Sequence, residues 1–330
     1  MHRALKIAAT LAVTLCAAAP LARAGCSEPL GTRSGPIEAA CHDLATSGVT
    51  RSYRAYVPRH LQHPAPLLIV LHGGQGDAAG MERLTRAAFN RLADQSGALI
   101  VYPEGIGRSW NDGRDDSVTR ATRERVDDVG FLRAVVSELD RRYGVRRDGV
   151  FATGISNGAL MSLRLACDAA DMVSGIVAVA GNLAASLGPR CEPARPIRVA
   201  FINGTRDPLV PWQGGGVGFA GRRGDVWSAE RSFSWFAGRF HCRDRGADPR
   251  IDRVAADGTA LILSRARGCD RPSEVRLYRI EGGGHTWPGG VAYAPEFLVG
   301  KVSQELDAAL EVARFLFGVE FSYSGSEHLN

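Results

Sequence analysis

Apolar residues recur along this chain in two rhythms, and their order sketches a fold of alternating strands and helices. Residues 49–57 set Val49, Arg51, Tyr53, Ala55 and Val57 at alternate positions, as an early antiparallel strand would. After Pro64 and Pro66 comes the unbroken run Leu67-Leu68-Ile69-Val70-Leu71, the signature of a strand buried on both faces. Residues 81–95 return to helical spacing, with Met81, Leu84, Ala88 and Leu92 on one side, and 98–102 form the next strand, stopped by Pro103. Strand, helix, strand is one parallel unit, so the fold class is α/β. The alternation continues with a highly charged solvated loop over 114–127, a helix over 129–143, a strand over 150–153 and a helix over 159–167. A strand over 175–180 and a looser stretch to Cys191 lead to a strand over 197–202. A helix over 225–240 carries Trp227, Phe233, Trp235 and Phe236 as core and site wall. A polar stretch over 242–273 holds only Leu261-Ile262-Leu263 as a strand signal. A strand over 274–280 and a helix over 306–317 close the pattern. No repeat, linker or second domain is visible.

Composition changes this picture at the N-terminus. Arg3 and Lys6, an apolar run from Ile7 to Ala19 and the small-x-small site Ala22-Arg23-Ala24 predict a signal peptide over 1–24, export to the periplasm or medium, and one domain over 25–330. Formal charge is +5, of which Arg3, Lys6 and Arg23 lie in the leader; the remaining +2 is no nucleic-acid footprint. No segment after the leader reads as a membrane span. Cys16 would leave with the leader, and an even six remain, Cys26, Cys41, Cys167, Cys191, Cys242 and Cys269. Pairing of sequence neighbours, Cys26 with Cys41, Cys167 with Cys191 and Cys242 with Cys269, is the expectation among 15 connectivities. His60 and His63 form an H-x-x-H in a proline-flanked loop without an acid or cysteine to complete a ligand set, so neither a metal nor a cofactor is expected.

The chemistry centres on Gly154-Ile155-Ser156-Asn157-Gly158, between the strand at 150–153 and the helix at 159–167. A strand, a G-x-S-x-G turn and a helix make the nucleophile elbow of an α/β-hydrolase, with the flanking glycines relieving Cβ collisions around a strained serine. His72-Gly73-Gly74-Gln75-Gly76 follows the Leu67–Leu71 run, where this fold keeps its second oxyanion amide, so the amides of Asn157 and of Gly74 or Gln75 are the candidate donors. Asp207 lies past the strand at 197–202, and His285 lies on a glycine-rich loop past the strand at 274–280. Ser156, Asp207, His285 is the hydrolase order of nucleophile, acid and base. Trp110 is a candidate to flank an acyl or aromatic group, as is Trp287 beside His285; the alternative for Trp110 is an indole anchoring its loop over the sheet end. Asp127 and Asp128 resemble a catalytic carboxylate pair, but at a helix start they read as structural. Gly216-x-Gly218-x-x-Gly221 has the spacing of a dinucleotide fingerprint without the preceding strand, and reads instead as a mobile loop beside the site.

Leu71-His72-Gly73-Gly74, Tyr102-Pro103-Glu104-Gly105, Ser109-Trp110-Asn111-Asp112-Gly113, the elbow, Asn203-Gly204-Thr205 with Asp207-Pro208, and Gly283-Gly284-His285-Thr286-Trp287-Pro288-Gly289 together resemble the secreted polyhydroxybutyrate depolymerase and feruloyl esterase group of α/β-hydrolases. The resemblance spans about residues 50–318. It implies ester hydrolysis through an acyl-enzyme and carries the triad onto Ser156, Asp207 and His285. Depolymerase-like members often have cysteine where this chain has Gly74, and many add a polymer-binding domain. Neither feature is present, which favours soluble hydroxycinnamoyl (feruloyl) or short-chain acyl esters over a poly(3-hydroxybutyrate) substrate. A serine peptidase of the same fold and a catalytically silent binding protein are the other readings. The first lacks a propeller or large lid here, and the second usually loses a triad member, whereas all three are present.

Overall fold

A computed structural model describes residues 38–46 and 48–319. The leader over 1–24 and Cys26, hence the Cys26–Cys41 pairing, lie outside the described residues. In chain order the strands are β1 (Glu38–Thr46), β2 (Val49–Val57), β3 (Ala65–Leu71), β4 (Leu99–Pro103), β5 (Val145–Ile155), β6 (Gly175–Val179), β7 (Arg198–Gly204), β8 (Gly215–Gly216), β9 (Asp225–Val226), β10 (Asp244–Ala247), β11 (Ala260–Arg267) and β12 (Glu274–Glu281). The helices are α1 (Ala78–Leu84), α2 (Ala88–Ser96), α3 (Arg120–Arg123), α4 (Asp128–Tyr143), α5 (Asn157–Asp168), α6 (Ala229–Arg239), α7 (Glu296–Val299) and α8 (Ala308–Phe317). Ten strands form one sheet in the order β1-β2-β4-β3-β5-β6-β7-β12-β11-β10. The six from β4 to β12 run parallel, and antiparallel pairs finish both edges.

The unbroken apolar run of β3 is explained by its two neighbours. Leu67, Ile69 and Leu71 face a layer that contains Phe131 and Leu132 of α4, Leu163 of α5 and Phe236 of α6. Leu68 and Val70 face the opposite layer, with Met81 of α1, Phe89 of α2 and Val312 of α8. Both faces are covered, so neither register position can be polar.

Four predicted elements differ in the structure. The helix expected over 225–240 begins only at Ala229, because Asp225 and Val226 pair as β9 and Ser228 caps the helix by accepting from Arg231 N at 3.1 Å. The helix expected over 81–95 is two helices, because Val291 N–H donates to Leu84 O at 3.1 Å, while Thr85 Oγ1 turns back onto Met81 O at 3.1 Å. Arg86 and Ala87 then adopt left-handed φ of 52° and 53°. The charged stretch 114–127 is only partly solvated: Arg114 and Asp116 are buried, Asp116 caps a turn through Val118 N and Thr119 N, and α3 follows. In the polar stretch, β11 is eight residues long and pairs with β12 over most of its length. Its surface-facing polar residues mask the strand signal. Asp127 and Asp128 are structural. Asp127 caps α4 by accepting from Gly130 N at 2.8 Å, while Asp128 is fully buried against Arg51 at 2.7 Å and accepts from Asn111 N at 2.7 Å. Burial raises the Asp128 carboxyl and lowers the Arg51 guanidinium, each opposed by the other's charge.

Cys167 is bonded to Cys191 and Cys242 to Cys269, as sequence-neighbour pairing predicts. Both suit an oxidising compartment. No helix among the described residues is long and apolar enough to cross a membrane.

Candidate active site

Ser156 stands between the end of β5 and the start of α5 with φ 57° and ψ −123°, a backbone region strained for any side chain. Two glycines make that turn possible. A Cβ on Gly154 would lie 2.6 Å from Leu71 O and from the Gly158 carbonyl carbon, and one on Gly158 would run into Leu71 O and His72 O. The turn is thus wedged against the end of β3, which aligns Ser156 with the loop that follows β3.

Asp207 and His285 come from loops after β7 and β12, adjacent parallel strands. Asp207 Oδ1 accepts from Leu209 N and Val210 N, both at 2.8 Å, which leaves Oδ2 to meet His285 Nδ1 at 2.7 Å. Both side chains are almost fully buried. With the carboxylate at Nδ1, the ring proton belongs there and Nε2 carries the free lone pair. The His285 backbone is fixed on both sides: its N–H donates to Val299 O at 2.6 Å, and its carbonyl accepts from Tyr293 OH at 2.7 Å. Burial, with Asp207 adding to it, pushes the Tyr293 phenol up, so it stays a neutral donor. Close packing of Gly204 against Gly283 and of Gly284 against Val299 and Gly300 explains the glycine richness here.

Ser156 and His285 line one cavity of about 290 Å³, together with Gly74, Asn157, Met81, Leu84, Ile155, Leu209 and Val217. It sits at the carboxyl ends of the parallel strands, where open α/β sheets bind ligands. A serine and a carboxylate-oriented histidine opening on one cavity are the groups that general-base activation of a nucleophile requires.

Comparison with known proteins narrows the class. No protein-family model matches the chain. The "Putative esterase NocK" of Nocardia uniformis subsp. tsuyamanensis is 32% identical over 292 residues, covering 84% of this chain and 82% of that protein. The chain belongs to the α/β-hydrolase esterase family. As a member, this esterase is a carboxylic ester hydrolase. Feruloyl esterase B of Piromyces equi is 33% identical over 157 residues, 46% of this chain but only 28% of that longer protein. Among solved structures, the acetyl xylan esterase of Aspergillus awamori matches with a TM-score of 0.52 at 13% identity, over 75% of this chain and 94% of that one. This supports the fold alone.

The loop after β3 sets its two candidate amides apart, and the core claims both tryptophans expected at the site. Gln75 N–H donates to Arg108 O at 2.8 Å, so it is spoken for; Gly74 lines the cavity and Gln75 does not. Trp110 is not a substrate wall. It is fully buried, its indole N–H donates to His72 O at 2.9 Å, and its ring lies 4.9 Å from that of His72. Trp287 is no wall either: it packs edge-on to Phe89, 6.0 Å away, within the core. Both indoles are too large and too well placed between layers to leave a face for a ligand.

His72 underlies the loop. Its Nδ1 meets Gly73 O at 2.8 Å and its Nε2 accepts from Gly105 N at 3.0 Å, a pattern that only the neutral ring satisfies. Burial lowers its pKa to about 4, against the pull of the Gly73 carbonyl. Burial raises neighbouring Glu104 to about 7, opposed by the bond from Ala78 N. Their 3.9 Å approach is therefore not an ion pair at neutral pH.

Sequence reasoning missed the latch behind the elbow. The Asn157 side chain accepts from Trp110 N at 2.7 Å and donates to Trp110 O at 2.9 Å and Asp112 Oδ2 at 2.6 Å. Asp112 in turn holds Arg114, whose Nη1 donates to Arg223 O at 2.7 Å. Arg114, Arg223 and Tyr293 also line the cavity. The sequence signals for the latch are the Ser109–Gly113 run and the elbow within the resemblance; Arg114, Arg223 and Tyr293 carry none.

Proposed function

We propose that this esterase cleaves short-chain acyl or hydroxycinnamoyl esters through an acyl-enzyme on Ser156. His285 takes the Ser156 proton at Nε2 as the oxygen attacks the ester carbonyl, and returns it to the leaving alcohol. Asp207 holds the tautomer and balances the imidazolium. The amides of Gly74 and Asn157 donate to the tetrahedral oxyanion, where losing one donor typically costs about 3 kcal/mol of barrier. Water attacks the acyl-enzyme by the same route in reverse. The observation that carries this reading is the 2.7 Å His285–Asp207 contact opening on the same cavity as the strained Ser156. The cavity's modest volume and its walls of Met81, Leu84, Ile155, Leu209 and Val217 favour a short acyl chain or a single aromatic ring. The feruloyl esterase relative supports the aromatic option. The mature enzyme, residues 25–330 as one catalytic domain, acts after export.

Hydrolysis of short p-nitrophenyl esters, methyl ferulate and poly(3-hydroxybutyrate) by the wild type and by Ser156→Ala tests this. The wild type should cleave soluble esters, with at least about a thousandfold loss in the variant. Equal turnover by both proteins would remove Ser156 from the mechanism, and preference for the polymer would refute the substrate class.

A further inference from the structure

The cavity wall holds two guanidinium groups and, among the described residues, no carboxylate. Their situations differ. Arg114 is buried and its charge is met by Asp112, through Nε at 3.1 and 3.0 Å to the two oxygens and Nη2 at 2.7 Å. Arg223 is half-buried, and its side chain has no hydrogen bond or ion pair with any described residue.

Its backbone, by contrast, is held in place. The segment from Gly215 to Val226 is a hairpin closed by β8 and β9, and Arg223 N–H donates to Val217 O at 3.1 Å within it. Gly218 N–H ties the hairpin to Leu209 O at 2.8 Å, two residues after Asp207, and Arg114 clamps the Arg223 carbonyl from below. The loop expected to be mobile therefore carries Arg223 on a braced backbone. Its guanidinium reaches the oxyanion side of the cavity: Nη1 lies 3.9 Å from the point where a Cβ on Gly74 would sit, and that point is 3.8 Å from Asn157 Cβ. An unneutralised guanidinium in a largely apolar cavity, next to the groups that receive the ester carbonyl, is a receptor for an anion.

We propose that Arg223 determines specificity and that the preferred substrate is an ester bearing a free carboxylate, on its acyl or its alcohol part. This rests on the esterase reading of the site. A carboxylate there replaces water around Arg223 and pairs with it in a fork, an interaction that a neutral ester of the same size lacks. Asp112 already neutralises Arg114, so the selectivity falls on Arg223 alone.

The test compares kcat/KM within two matched pairs. Mono-p-nitrophenyl glutarate against p-nitrophenyl pentanoate reports the acyl side, and p-carboxymethylphenyl butyrate against p-tolyl butyrate reports the alcohol side. The wild type should prefer the charged member of at least one pair by about tenfold, less so in high salt, and Arg223→Gln should abolish that ratio. Arg223→Lys, which keeps the charge but not the fork, should retain part of it. A wild type that cleaves all four esters without preference overturns the proposal and leaves the esterase reading intact. So does a ratio that survives Arg223→Gln, or a variant that loses activity equally on both members of a pair. A wild type that cleaves none of the four brings down the esterase reading, and this proposal with it.

Discussion

Replacing Asn157 with alanine isolates the latch that joins the elbow to the Trp110 loop. The substitution keeps the backbone amide proposed as an oxyanion donor and removes only the side chain. It strips both hydrogen bonds from the Trp110 peptide groups, which are buried, and one from Asp112, which retains Arg114. A buried backbone group left without a partner costs about 1–3 kcal/mol, while alanine at the first turn of α5 recovers roughly 0.5 kcal/mol of helix propensity. The net loss is about 3 kcal/mol, on the order of 6 °C in Tm for a domain of this size. Because the Trp110 indole also holds His72 O, the slackened loop should carry Gly74 out of alignment, lowering kcat on small esters by about tenfold. Urea unfolding monitored by fluorescence gives the stability term, and p-nitrophenyl butyrate the rate. Asn157→Asp, equal in size but placing a carboxylate against Asp112, should be worse than alanine. A stability change below about 1 kcal/mol for Asn157→Ala, or an aspartate variant as stable as wild type, would refute the latch.

Two further expectations concern stability. Glu104 has a folded pKa of about 7, above its ordinary 4.5, so its contribution is full below 4.5 and is lost as pH rises through 7. His72 has a folded pKa of about 4, below its ordinary 6.5, so its contribution is full above 6.5 and is lost as pH falls through 4. The slopes oppose each other between 4.5 and 6.5, and Glu104→Gln should expose the histidine slope as a loss of about 2 kcal/mol on acidification across that window. Urea midpoints that vary with pH alike in both proteins would contradict this. The Cys167–Cys191 bond spans 24 residues, and replacing both cysteines with alanine should cost about 3 kcal/mol, read from the urea midpoint. A midpoint that barely moves would mean the loop is held without the bond.

The chain's own pattern determined the central strands, because β3, β4, β6 and the middle of β7 are buried on both faces and so read as apolar runs, while the buried Asn203 near the end of β7 is hydrogen-bonded to Gly181 and Asn182. It also determined the order of Ser156, Asp207 and His285, since each follows a strand and the glycines around them answer local backbone collisions. What the sequence could not decide is where competition between distant groups settles the matter. The amphipathic pattern over 81–95 is continuous, yet Val291, some 200 residues on, takes the carbonyl that would have kept it one helix. Two tryptophans placed near the site by sequence lie in the core, because which face of an indole meets a neighbour depends on layers brought together only by folding. Gln75 and Gly74 are equivalent until Arg108 claims one amide. Arg223 is one of many arginines along the chain; only the hairpin that sets it beside Gly74, in a cavity with no acid among its described lining residues, makes it a candidate to choose the substrate.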